Sequence, residues 1–217
     1  MKHKASRDLY AYWNSLRGDR PAPERNEIEP GAIRGALGDT IMLARERGKN
    51  GNSEATFRLA GTRVCALFCR ELKNTAFQPL FHDNSRAELN ELVDMATEES
   101  VGFIAGLTAQ IADHPDVPLE LLMLPLLQLG VTDSRMIGVL APAAPPAWLG
   151  VHPVQSLTLN SWRYVSPQLD AVTIPKFFDL PEDDTAPGVT PVMEPADLAL
   201  PPTGPSRAFT LLTGGRA

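Results

Sequence analysis

FRLAGTRVCALFCREL, residues 57–72, changes its period halfway, and the rest of the chain can be read outward from that change. Phe57 and Leu59 alternate with Arg58 and Ala60 as on a half-buried strand, whereas Val64, Leu67 and Phe68 recur at i, i+3 and i+4 as on a helix. A strand therefore passes into a short helix through Gly61. Residues 40–44 read as a preceding strand, and RERGKNGNS, residues 45–53, as the charged, Gly- and Asn-rich hairpin loop between the two. Further upstream, Leu9, Tyr12, Trp13 and Leu16 share one face of a helix that Ser6 is placed to cap and Gly18 to end. The connector PAPERNEIEP, residues 21–30, leads into a short helix with Pro30 at its first position.

Downstream, ELKNTAFQPLFHDN, residues 71–84, reads as turns and broken helix. A longer helix is expected to start at Ser85, where Glu88 stands three residues on and completes a capping box. Leu89, Leu92, Val93 and Ala96 form its inner stripe, and Glu91, Asp94, Glu98 and Glu99 a solvated outer face. Strands follow at 101–112, 119–127 and 135–141, with the turn VTDS between the last two. After a Pro-rich stretch, SLTLNSWRYV, residues 156–165, regains a strand-like alternation. From residue 176 onward there are seven prolines in 42 residues and little apolar period, the composition of a disordered tail.

With 217 residues, 43% of them hydrophobic, the chain can bury one core and still leave residues for tails. A net charge of -6 repels phosphate backbones and anionic lipid, so nucleic acid is not an expected partner. Two cysteines, a polar amino end and the lack of a long apolar run give no secretory, disulfide or membrane-insertion signature, and a cytoplasmic location is expected.

Two strands, short helices, a longer helix and three strands predict an α+β fold, a five-stranded antiparallel sheet with its helices on one face. The expected organisation is a flanking helix over residues 1–20, a domain over 21–165 and a Pro-rich tail over 166–217. This order resembles a PAS domain. FRLAGTRVCALFCRELKNTAFQPLF is similar to the second PAS strand running into its small helices, with Leu67, Phe68, Arg70, Glu71 and Leu72 where such domains often read LFGREL. LYAYWNSLRG, the connector and ELLMLPL closing onto MIGVLAP resemble the alphaproteobacterial single-PAS-domain family that includes MopJ. The resemblance implies a sensory or regulatory protein without enzymatic activity, which contacts signalling proteins such as histidine kinases or other regulators and forms a homodimer. It names no cofactor. Cys69 replaces the common glycine of LFGREL, nothing matches the flavin-adduct motif NCRFLQ, and residues 85–100 offer no histidine for haem.

The inward positions of strands and helix point to Phe57, Cys65, Phe68, Phe103 and Leu122 as the lining of a pocket for a small apolar ligand. Leu9, Tyr12, Trp13 and Leu16 form a stripe that must be covered by the chain's own domain or by a second copy, and are the candidate homodimer surface. Trp13 and Trp162 are interface anchors or lids on the core. Cys65 and Cys69, at i and i+4, supply half a metal site at most and suit core packing better, so no metal is expected. His114 and His152 each precede a proline in a loop, a spacing that is no metal motif. The competing readings are a cone-shaped α+β barrel enzyme, in which His82 and Asp39 would converge as an acid/base pair, and a scaffold with a solid core.

Overall fold

The computed structural model describes residues 1–47, 53–127 and 134–165. The turn 131–134 and the tail from residue 166 therefore lie wholly or largely outside the described residues, as does the tip of the first hairpin. Helix α1 (Lys4–Arg17) leads through the connector to β1 (Thr40–Arg47) and β2 (Ser53–Ala60). Gly61 caps the short α2 (Thr62–Leu67), and α3 (Asp83–Glu98) precedes β3 (Gly102–Ile111), β4 (Val117–Leu126), β5 (Ser134–Pro142) and β6 (Val154–Val165). These strands form one antiparallel sheet in the order β2-β1-β5-β4-β3-β6. The α+β antiparallel sheet is as expected, with a sixth strand added: 156–165 extends to Val154 and pairs along the whole of β3.

The passage from β2 to α2 depends on a close approach. A Cβ on Gly61 would lie 2.2 Å from the Leu37 carbonyl oxygen and 2.4 Å from that of Gly38, so only glycine fits beneath the turn that leads into β1. The Gly61 N–H donates to the Thr40 carbonyl at 2.8 Å and ties the junction to the start of β1. The region after Pro30 makes turns and a 3-10 turn, Leu37–Asp39, rather than an α-helix.

Both faces of the sheet are covered. Against one lie α2, α3 and the segment 72–81, which enclose Phe57, Phe77, Phe81, Leu89, Leu92 and Phe103. Against the other lies α1 with the connector, enclosing Leu9, Trp13, Ile104, Leu122, Leu124 and Val139. The stripe proposed as a homodimer surface is thus covered by the chain's own sheet: Leu9 and Trp13 are fully buried, while Tyr12 and Leu16 are half-buried at the margin. The indole Nε1 of Trp13 donates to the Pro125 carbonyl at 2.8 Å, which satisfies its polar edge inside an apolar layer. Beyond the reach of β3, the backbone of β4 is continued by the connector: Leu127 N–H donates to Pro23 at 2.9 Å, and Arg25 N–H donates to Leu127 at 3.0 Å.

Two helix starts differ from the sequence reading. His3, not Ser6, caps α1, its Nδ1 accepting from the Ala5 N–H at 3.2 Å, and Ser6 is buried within the first turn. α3 begins at Asp83 with His82 at the cap position, and the Ser85 hydroxyl accepts the Leu159 N–H of β6 at 3.1 Å. A tertiary partner for Ser85 outweighs its local capping propensity.

The amino end is strapped to β4 by Glu120, whose oxygens accept the Lys2 N–H at 2.6 Å and the His3 N–H at 3.1 Å. Burial alone would push this carboxyl up, but those bonds outweigh it and hold it below the usual carboxylate range. A folded pKa held down contributes stability that is present above the unfolded value and lost as pH falls through the folded one. Glu120→Gln should therefore flatten the acid limb of the stability–pH curve while the neutral and alkaline limbs keep their shape, as urea titrations at a series of pH values would show. Trp13→Ala removes a buried ring and leaves the Pro125 carbonyl without its donor, so unfolding free energy should fall by about 3–5 kcal/mol, read from the urea midpoint.

Candidate functional site

The β2–Gly61–α2 unit places Phe57 on the inner face of the sheet and Phe68 just past the end of α2, and both join the same apolar cluster as Phe103 of β3. Phe57 meets Phe77 edge-on with ring centroids 5.5 Å apart, and Phe77 meets Phe81 in the same way at 5.2 Å. Cys65 is half-buried at the edge of this cluster; its Sγ lies 3.8 Å from the Ala60 carbonyl and 3.6 Å from Glu71 Oε1. Burial pushes the thiol pKa up, which keeps it a neutral thiol rather than a nucleophile.

Four of the five residues expected to line one pocket therefore come together, and Leu122 does not. Its neighbours Leu121 and Met123 face the Phe57 cluster, while Leu122 itself packs with α1 on the opposite face. β4 is buried on both sides from Leu121 to Leu126, so no polar–apolar alternation marks which parity points to which layer. Phe77 and Phe81 were missed because they fall in a segment read as turns. The i, i+4 spacing of the two phenylalanines in FQPLF carries their signal, since a 3-10 turn at Gln78–Leu80 brings both rings inward.

Cys69 stands at the glycine position of LFGREL with φ at 50°, in the left-handed region, directly after the end of α2. Glycine is favoured there because it adopts that conformation without a Cβ penalty. The thiol is exposed and lies 3.6 Å from the Ala66 carbonyl.

An open cleft of about 270 Å³ lies elsewhere, where the start of α1 meets the 3-10 turn before β1 and the end of β5. Asp39 is buried in its wall and takes both Nε of Arg63, at 2.7 Å, and Nη2, at 2.5 Å. Those bonds push the guanidinium further above its ordinary value, and Arg63 is held flat over Gly38. Lys4 pairs with Asp8 at the same mouth. Each cation there is already matched by a carboxylate.

His82 and Asp39, the pair a cone-barrel enzyme would need, do not converge. The His82 N–H donates to Leu157 of the edge strand β6, and its ring faces Asn84 Oδ1 at 3.0 Å. Asp39 sits at the start of β1, on the far side of β5, β4 and β3. His114 and His152, in separate loops of the sequence, meet with ring centroids 4.4 Å apart beside Trp148. Among the described residues no third histidine, cysteine or carboxylate joins them as a metal set. Among the described residues, no helix is long and apolar enough to cross a membrane.

A PAS domain family model matches residues 1–141, from α1 through β5. This chain belongs to the PAS domain family. The match covers about two thirds of the sequence and spans the glycine junction, the small helices and the strands β1 to β5; β6 lies beyond it. No curated protein matches the chain. Membership of the PAS family points to a sensory or regulatory role.

The left-handed backbone at Cys69 costs about 1–2 kcal/mol for a residue with a Cβ, of which glycine recovers a part against its greater unfolded freedom. Cys69→Gly should accordingly raise unfolding free energy by roughly 0.5–1 kcal/mol with no change in secondary structure, measured by urea unfolding and circular dichroism.

Proposed function

We propose that this protein is a cytoplasmic single-PAS-domain regulator of the alphaproteobacterial kind that includes MopJ, acting by contact with a signalling protein and without an enzymatic activity of its own. The observation that carries this reading is the PAS match from α1 through β5. In it, residues 21–165 are the sensory module, residues 1–20 its flanking helix and residues 166–217 a Pro-rich tail. The partner is a histidine kinase or another regulator. Self-association through the α1 stripe is no part of the proposal, because Leu9 and Trp13 would first have to leave the sheet. A small apolar ligand, in this reading, enters between the sheet and α2 against Phe57, Phe68 and Phe103, with Cys65 at the rim.

The test is made with purified full-length chain and the histidine kinases of its own cell, taken one at a time. Autophosphorylation or phosphatase rate of at least one kinase should change several-fold when the chain is added in excess. If every kinase and its response regulator keeps its rate, the proposal of a kinase-directed regulator is wrong.

A further inference from the structure

β6 is an edge strand that the PAS match does not reach, and its outer edge is treated differently along its length. In its first half the edge is closed: the His82 N–H donates to the Leu157 carbonyl at 2.8 Å, and the Leu159 N–H donates to Ser85 Oγ at 3.1 Å. The opposite edge of the sheet is also closed, since the segment 74–77 exchanges backbone bonds with Ala55 and Phe57 of β2. From Ser161 to Val165, by contrast, the backbone of β6 pairs only with β3 among the described residues.

That open half carries two aromatic rings. Trp162 is 39% exposed and meets Tyr164 edge-on, with ring centroids 5.1 Å apart. The indole Nε1 donates to Glu88 Oε1 at 2.6 Å, which fixes the ring against the flank of α3. Glu91, on the next turn of that flank, is close enough to Tyr164 to add to the upward push that burial gives the phenol. Met95, 42% exposed, follows four residues later on the same flank. Glu88 and Glu91 are exposed, and neither has an ion pair among the described residues.

Each feature selects for the same occupant. An unpaired strand edge accepts an extended segment through its backbone. The exposed Trp162 face, with the half-buried Tyr164 ring beside it, attracts a guanidinium or ammonium group, and the two carboxylates, which lack an ion pair among the described residues, add Coulomb attraction and hydrogen-bond acceptors. The net charge of -6 draws a basic segment in from a distance. A second copy is disfavoured, since symmetric pairing of two such edges would bring the carboxylates of both onto one seam.

We propose that the Trp162–Tyr164 edge of β6, flanked by Glu88 and Glu91 of α3, docks an extended arginine- or lysine-bearing segment of a partner protein. This rests on the reading of the chain as a regulator that works by contact, and it names the surface and the chemistry of the partner.

The probe is a short fluorescein-labelled peptide of alternating arginine and threonine, with a glutamate–threonine peptide as its counterpart, titrated with full-length chain at about 0.15 M salt. The arginine peptide should bind and the glutamate peptide should not. Glu88→Gln combined with Glu91→Gln should weaken binding by about tenfold or more, and Trp162→Ala by a similar factor, while Glu29→Gln, a charge change on the remote connector, leaves it unchanged. Trp162→Phe keeps a ring but loses the Glu88 bond, and should give an intermediate affinity with the fold intact by circular dichroism. No binding of the arginine peptide overturns the proposal, as does an equal loss on Glu29→Gln, which would mean attraction by overall charge alone. A homodimer that Trp162→Ala dissociates, or a cross-linker at position 162 that traps residues of the same chain, would assign the edge to those occupants instead. If a kinase still responds fully to the Trp162→Ala chain, the regulator reading stands and this surface falls. If the peptide binds as described and no kinase responds, the surface stands and the kinase reading falls.

Discussion

The bond from Trp13 to the Pro125 carbonyl closes a layer without which one face of the sheet would be bare. Leu122, Leu124, Ile137 and Val139 face that layer, and Leu121, Met123 and Leu140 face the opposite one, so β4 and β5 have apolar side chains on both sides. Burying only one side would leave a broad apolar surface in water. α1 and the connector are therefore part of the fold's energetics, and the indole, with its N–H satisfied in the interior, joins helix to strand by packing and hydrogen bond together.

From this two-sided burial follows the position of everything exposed. The side chains on both faces of β4 and β5 pack into the two apolar layers, so among the described residues the polar and charged groups gather at the ends and edges of the sheet. At one end, the charges of the cleft are matched in pairs, Asp39 with Arg63 and Lys4 with Asp8. Along β2 the edge is sealed by the segment 74–77, and along the first half of β6 by the start of α3. The second half of β6 sets the exposed Trp162 and the half-buried Tyr164 beside Glu88 and Glu91 of α3. Membership of the PAS family points to a sensory or regulatory role for this domain.

The glycine positions show how local chemistry and tertiary contact divide the work. Gly61 is required because two carbonyls of the preceding turn approach its Cα, a tertiary reason with a local appearance. At Cys69 the backbone holds a left-handed conformation that glycine adopts at lower cost, in a turn flanked by the buried Phe68 and Leu72.

The element order was legible from residues alone, because the period of apolar positions reports local geometry: alternation at Phe57 and Leu59, helical spacing at Val64, Leu67 and Phe68, and the inner stripe from Leu89 to Ala96. The same period says which side of an element is apolar, but not which surface will meet it. Tertiary structure alone decided that Leu9 and Trp13 face their own sheet, that Leu122 points away from Phe57 and Phe103, and that Ser85 serves β6 rather than its helix. It also decided that residues 156–165 become a sixth strand beside β3, which leaves His82 and Asp39 at opposite sides of the sheet. Each of these depends on contacts between segments far apart in sequence, and a strand buried on both faces carries no alternation from which they could be read.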